Sequence, residues 1–350
     1  MSKNSKSIAF WGAEAPPYGG MAVHIQRLSS HLQNKNWAIT QYNFKKDRRN
    51  KYYIKNINNL LFWYLSLWFK KSPNIHYIIT TRAKIRFLGS LLRLRGKKVI
   101  IRVGGQSMEN ELNNGRLPKY LNIISLKFCS AFIGVNRDIC SLAKNYTTSE
   151  KIKHIPGFIP PQLEEKTAPK LIRDFFQKEK LKLVATGQLF DQSEPDIYGL
   201  YHFADTLKLL KHKSLNFKAV IVIYGNSKPN FEFNLNHIKK YIGELGIEND
   251  TLIYVNNGEL WPIIKESNVF VRSSITDGDA NAIREALFFN KQVIASDCVS
   301  RPNPCILYKS EDSKKLAEKI ERIDLNRTFK NNEIGNHHKI EKLLLNLIRK

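Results

Sequence analysis

The sequence predicts an α/β protein built from two doubly wound parallel sheets. Three observations carry that prediction. Short apolar runs alternate with segments of helical period along most of the chain, the pattern left by helices crossing over a parallel sheet. A strand, a glycine-containing loop and a helix open the chain in that order, as at the start of a nucleotide-binding α/β unit. A second apolar run that reaches a glycine begins at Lys182, and 350 residues are enough to bury two cores.

Residues 8–11 form the first strand, and residues 12–20 a stiff loop holding Pro16, Pro17, Gly19 and Gly20. Residues 21–32 have helical spacing, with Val23, Ile25, Leu28 and Leu32 on one side. A strand is predicted at 37–44. The aromatic run at 60–69 and the basic run at 84–95 are apolar-basic helical segments. Strands follow at 76–80, 98–103 and 131–135, and a helix at 137–144. The proline-rich stretch around residues 155–161 and the charged residues to about 178 mark a linker. Beyond it come strands at 182–189, 219–225 and 251–255, with helices at 201–210, 238–245 and 259–267. A strand at 269–274, a helix reaching Leu287 and a strand at 291–297 come next. An apolar helix at 340–350 ends the chain.

The loop from Thr276 into the helix around Arg284 is the most informative stretch. A loop entering a helix N-terminus presents unpaired N–H groups and the positive end of a dipole, which suits a phosphate. Asp277 on the loop and Glu285 in the helix stand eight positions apart, so both border one pocket. Amides for a diphosphate, with carboxylates for sugar and ribose hydroxyls, are what a nucleotide-sugar site needs.

That stretch and its flanking strands resemble the signature of retaining glycosyltransferases of family 4, the glycosyl transferases group 1, whose fold is GT-B. The family carries Glu-x7-Glu where this chain has Asp277-x7-Glu285. Pro16, Pro17, Gly19 and Gly20 match the family's Pro-Pro-x-x-Gly-Gly loop. The resemblance covers nearly the whole chain and is strongest over 219–309. It implies two Rossmann-like domains facing across a cleft: an acceptor-binding domain at 1–163 and a nucleotide-sugar-binding domain at 164–330. A helix at 331–350 would cross back to the first. It implies that Glu285 holds the donor ribose and that Asp277 faces the donor sugar or its phosphates. The backbone amides of Asn281, Ala282 and Ile283 would receive the diphosphate. Tyr224, Gly225 and the loop after Val255 would lie near the base, with Gly19, Gly20, Gly187 and Gln188 also around the donor. Asp277, Glu285 and Arg284 are the catalytic candidates. Asp279 is a further polar residue of the loop, and Arg284 either pairs with a phosphate or bonds to Asp277 or Asp279.

Three family positions differ here. The family has Gly-Arg, Lys-Gly and His-Gly where this chain reads Gly187-Gln188, Tyr198-Gly199 and Gly104-Gly105. The missing Arg and Lys neutralise a leaving diphosphate, which gains charge in the transition state. Arg272, Arg284, Arg301 and Lys228 are the other candidates for that charge.

The chain carries a net charge of +25, and residues 1–100 hold +17 of it, from 19 Lys or Arg against Glu14 and Asp47. Such a half attracts a polyanion. One reading is docking on an anionic membrane, with Trp63, Trp68 and Phe69 in lipid and Lys70, Lys71, Lys84, Arg86, Arg93 and Arg95 at the headgroups. The other is a pair of core helices with a basic outer face. No apolar run reaches the length of a bilayer span, and the N-terminal apolar segment is too short for a secretory signal. Cys129, Cys140, Cys298 and Cys305 show no metal or disulfide spacing. No HExxH, P-loop, Gly-x-Ser-x-Gly or nucleic-acid motif is present. The expectation is therefore a cytoplasmic enzyme, peripheral on the inner face of a bacterial membrane, without metal or cofactor and without a nucleic-acid partner. It would move a sugar from a nucleotide-diphosphate sugar to a glycan or lipid-linked acceptor with retention, in surface polysaccharide synthesis. The rival is an inactive protein of the same fold that binds a polyanion or serves as a synthase subunit.

Overall fold

The computed structural model describes residues 6–16, 18–44, 54–57, 59–70, 72–105, 107–113, 115–163, 166–177, 180–191, 193–225, 230–327 and 335–349. Pro17, Lys71 and Lys228, named above, lie outside them. The chain divides into two units, one of residues 1–15, 19–159 and 335–350, the other of residues 16–18 and 160–334. The boundary thus falls at Ile159, four residues before the predicted one.

The first unit holds a seven-stranded parallel sheet. Its strands are β1 (Ser7–Trp11), β2 (Ala38–Asn43), β3 (Ile54–Asn56), β4 (Ile75–Ile79), β5 (Lys98–Val103), β6 (Ala131–Gly134) and β7 (Ile152–His154). Helices α1 (Gly20–Gln33), α2 (Leu60–Phe69), α3 (Ala83–Leu91), α4 (Ser107–Asn113), α5 (Arg116–Phe128) and α6 (Arg137–Lys144) connect them. The second unit has α7 (Lys170–Phe176), β8 (Lys182–Gln188), α8 (Leu200–His212), β9 (Lys218–Tyr224), α9 (Phe231–Glu244), β10 (Thr251–Val255), α10 (Trp261–Glu266), β11 (Val269–Arg272), α11 (Asn281–Phe288), β12 (Gln292–Ser296), β13 (Ile306–Tyr308) and α12 (Ser313–Glu321). The last helix, α13 (His337–Arg349), belongs to the first unit.

The strand orders are β3-β2-β1-β4-β5-β6-β7 and β10-β9-β8-β11-β12-β13. Both sheets are doubly wound, and the order reverses between β1 and β4 in one and between β8 and β11 in the other. Ligands of such sheets bind beyond the carboxyl ends of the strands at that reversal. Both faces of the central strands are covered, so they read as unbroken apolar runs rather than alternating ones. All five residues of β4 are buried, His76 included. Its Nδ1 accepts from the Trp11 indole at 2.9 Å. Burial, helped by the charge of Lys97, lowers its pKa to about 3. The ring is neutral at pH 7, as a buried acceptor must be.

Several elements were not legible in the sequence. β3, α4, α5, α7, β13 and α12 have no counterpart in the prediction, and α9 begins seven residues before the predicted helix. α7 occupies the expected linker and buries only Ile172 and Phe176 among its seven residues. That is too few apolar positions to show a period. α4 and α5 are fixed by a polar contact instead. Arg86 of α3 is 1% exposed and donates to Glu111 of α4, to Asn122 of α5 at 3.0 Å and to the Thr80 carbonyl.

The same contact corrects one membrane assignment, because Arg86 is not available to headgroups. Trp63 and Trp68 are also turned inward. Trp63 packs on Trp11, Tyr42 and Phe44, and Trp68 on Tyr64. The exposed face of α2 consists of Leu61, Phe62, Leu65 and Phe69, followed by Lys70.

α13 contributes Ile340 and Leu344 to the core formed by Ile25, Leu28 and Leu32 of α1 and by β1 and β4. Both residues are 0% exposed. Leu344→Ala removes buried methyl groups and should lower the unfolding free energy by about 2–5 kcal/mol. Urea denaturation followed by circular dichroism measures this; an unchanged midpoint would mean that α13 is not docked.

Candidate functional site

The reversal point of the second sheet is set by the ends of β8 and β11. β8 ends in Gly187 and Gln188, and β11 ends in Arg272. A charged residue closing an otherwise apolar, buried strand needs a partner. Asp277, five residues on, is that partner: its Oδ2 accepts from Arg272 Nε at 2.9 Å. The same oxygen accepts from Arg301 Nη1 at 2.9 Å and from Ser274 Oγ at 3.2 Å. Its Oδ1 accepts from the Gly278 N–H at 2.9 Å. Arg301 comes from the segment after β12 and also donates to the Ser296 carbonyl at 3.0 Å and to the hydroxyls of Ser274 and Ser296. Arg272 reaches back to β8 through the Thr186 carbonyl at 3.2 Å.

Two guanidiniums therefore share one carboxylate, and all three side chains are at most 10% exposed. Burial alone would raise the pKa of Asp277. The charges and hydrogen bonds of Arg272 and Arg301 outweigh it and hold the carboxyl well below the usual range. Burial works against the charge of Arg272 too, but Asp277 more than restores it, and its pKa is raised. Neither group changes charge near neutral pH.

The Arg272 guanidinium lies over the ring of Tyr198, 4.8 Å from its centroid. Such a cation–π contact is favourable where water is excluded. Tyr198 stands where the family has Lys. Its position explains one glycine, and the Ser273 carbonyl explains another. A Cβ on Gly187 would lie 2.7 Å from the Tyr198 Cβ. Gly199 has φ +65°, and a Cβ there would lie 2.1 Å from the Ser273 carbonyl oxygen. No other residue fits the Gly199 position without moving β11.

The remaining predicted residues of this unit fall into two groups. Around α11, Arg284 Nε donates to Asp279 at 2.6 Å, which is one of the two pairings predicted for Arg284. The Ile283 N–H donates to the Ala280 carbonyl at 3.0 Å, so of the three predicted phosphate amides this one is already engaged. The α11 N-terminus has no side-chain cap and no acid in its first turn. Glu285 is 5% exposed inside the helix. At the end of β9, burial and the nearby charge of Glu285 push the Tyr224 phenol up. Tyr224 accepts from Asn256 at 2.8 Å and donates to the Gly258 carbonyl at 3.2 Å. Gly225 follows with φ +88°. The loop after β10 is held further by Trp261, whose indole donates to Glu259 at 2.6 Å. Thus Tyr224, Asn256 and Glu285 form one neighbourhood, and Gln188, Arg272, Asp277 and Arg301 belong to the ends of the strands at the reversal point. Gly19 and Gly20 belong to the first unit, where Gly19 precedes α1 with φ −83° and open space around its Cα.

Sequence reasoning named Arg272 and Arg301 as possible cations but not their common anchor. It missed Asn256, Ser274 and Thr186 as partners. An arginine at the end of an apolar strand was the available signal.

Residues 180–325 match the family model of glycosyl transferases group 1. They span most of the second unit, from just before β8 to beyond α12. Two uncharacterized glycosyltransferases of Methanocaldococcus jannaschii are similar in sequence. One is 23% identical over 339 residues, covering 83% of this chain and 80% of the relative. The other is 26% identical over 155 residues, covering 44% and 35%. Among solved structures, Anabaena HepE in complex with UDP aligns with a TM-score of 0.69 at 13% identity, over 98% of this chain and 97% of that one. Sucrose-phosphate synthase from Thermosynechococcus elongatus aligns with a TM-score of 0.69 at 13% identity, over 98% and 96%. The lipopolysaccharide outer core galactosyltransferase WaaB gives 0.59 at 16% identity, over 98% of each chain. The fold is GT-B.

Asp277→Asn keeps the shape of the second unit but leaves two buried guanidiniums without a counter-charge. It should cost about 3–5 kcal/mol of stability. Because the folded pKa of Asp277 is depressed, its contribution is complete above about pH 4 and drains away as pH falls toward the folded value. Chemical denaturation from pH 7 to pH 3 should show a loss of stability in the natural protein that is smaller in the variant. Parallel curves would show that Asp277 is not the titrating anchor.

Proposed function

We propose that the protein transfers a glycosyl group from a nucleotide-diphosphate sugar to a glycan or lipid-linked acceptor, with retention at the anomeric carbon. The observation that supports this most is the pair Arg272 and Arg301, gathered on Asp277 at the strand reversal of the matched domain. A departing diphosphate gains negative charge as the glycosidic bond breaks, and fixed positive charge in a water-poor site stabilises it. The family's Arg and Lys are Gln188 and Tyr198 here, so the two buried guanidiniums take that part. Asp277 acts as a positioning residue, since both its oxygens are engaged. Asp279 similarly positions Arg284. The start of α11, at Asn281 and Ala282, receives the phosphates. Glu285 holds ribose hydroxyls, with the base near Tyr224, Gly225 and Asn256. Gly187 lets the backbone come close, and the resemblance gives Gly19 and Gly20 of the first unit a donor-binding part. No cofactor besides the donor is assigned. That HepE has been solved with UDP-glucose is consistent with a nucleotide-sugar donor.

The acceptor side of the reading is the cytoplasmic face of a bacterial membrane during surface polysaccharide synthesis. None of the described helices is long and apolar enough to cross a membrane. The exposed α2 face of Leu61, Phe62, Leu65 and Phe69, with Lys70 and the +17 of the first hundred residues, suits docking on anionic lipid. One observation favours the rival polyanion binder: Tyr198 fills the place of a family cation.

Thermal shift with UDP, GDP, CDP, ADP and their sugars separates the two readings. A ligand that binds only the folded state raises its melting temperature. One diphosphate should do so, and Glu285→Gln should weaken that shift. Absence of any shift in folded protein would favour the polyanion binder. In the active enzyme, Arg301→Lys should reduce kcat by about 10²-fold, because lysine cannot reproduce the shared fork; unchanged turnover would remove Arg301 from the chemistry. For the membrane, Phe62→Ser with Phe69→Ser should release the protein from phosphatidylglycerol vesicles in co-sedimentation. Undiminished binding would assign the apolar face another purpose.

A further inference from the structure

We propose that His31, His337 and His338 bind a divalent transition-metal ion, with zinc as the best fit, and that the ion clamps α13 to α1 in the first unit. His31 lies in the last turn of α1, and His337 and His338 open α13. The ring centroids of His31 stand 4.4 Å from His337 and 5.5 Å from His338, and those of His337 and His338 are 3.9 Å apart. One ring nitrogen from each lies within 4.8 Å of the others. Ligands about 2.0–2.1 Å from a tetrahedral zinc are roughly 3.3 Å from one another. Binding requires the imidazoles to rotate and close that difference. Glu341, one turn along α13 from His337, places Oε2 2.9 Å from His31 Nε2 and orients that ring, as carboxylates beside metal-binding histidines do. Three imidazole nitrogens select zinc, copper or nickel over magnesium or calcium, with solvent completing the coordination.

Simple packing does not account for the cluster equally well. The Nδ1 of His337 is buried with no hydrogen-bond partner among the described residues, a cost that a ligating role removes. His338 is exposed and His31 is 17% exposed, so an ion has an entry path. The ligands come from opposite ends of the chain, and an ion held between them favours the folded state. None of its residues is among those assigned to glycosyl transfer, so this proposal and that one stand or fall separately. It revises the expectation of a metal-free protein.

The test is calorimetric titration of the chelator-stripped full chain with ZnCl2, alongside the visible spectrum after CoCl2 addition. One ion should bind per chain, with a rise in melting temperature and cobalt bands of a nitrogen-rich tetrahedral site. His31→Gln and His338→Gln should each weaken binding at least tenfold, and the double variant should lose the thermal shift while keeping its circular dichroism spectrum. No binding overturns the proposal. So does equal binding in the double variant, which would place the ion elsewhere, such as on Cys298 or Cys305.

Discussion

One buried carboxylate shared by two guanidiniums organises the strand-reversal end of the second unit. Charges out of water are tolerated only when paired and hydrogen-bonded. Asp277 meets that condition for Arg272 and Arg301 together. The contact joins the end of β11, the loop after it and the segment after β12. Through the Thr186 carbonyl it also reaches β8. Tyr198 lies under the Arg272 guanidinium and forces glycine at 187, and the Ser273 carbonyl forces glycine at 199. The glycines, the aromatic ring and the ion cluster are therefore one device. A change at any of them moves the others.

The first unit solves a similar problem in a different way. Arg86 is buried among α3, α4 and α5, and Glu111 and Asn122 meet it there. Both helices also pack apolar residues there, Met108 and Leu112 from α4 and Leu126 from α5, so the charged contact adds to packing. The aromatic run of α2 is divided by the same logic of burial. Its tryptophans complete the cluster around Trp11, and Leu61, Phe62, Leu65 and Phe69 are left facing solvent.

The strands were the most legible part of the chain. β1, β4, β5, β8, β9 and β11 are buried parallel strands, and burial on both faces writes an apolar run that sequence alone displays. Edge strands such as β3 and β13 carry three residues each and no such run. α12 shows how charge hides a helix: its buried face is Leu316, Ala317 and Ile320 amid lysines and glutamates. In the candidate site, the loop and helix at 276–287 were visible because their residue types and spacing carry chemistry. Arg301 was not visible as a partner of Asp277, because 24 residues separate them and no local rule links the two.

Sequence by itself determined that this is a two-sheet α/β chain with an acidic, glycine-containing loop entering a helix between Asp277 and Glu285, since periodicity and turn chemistry are local properties. It also determined the concentration of positive charge in the first hundred residues. Tertiary structure alone decided which charges are spent on one another. Asp277 is committed to two arginines, Arg284 to Asp279 and Arg86 to Glu111. It alone brought His31 beside His337 and His338. The physical reason is the range of the interactions: hydrogen bonding along the backbone is read within a few residues, whereas pairing of buried charges depends on which distant segments the sheets bring into contact.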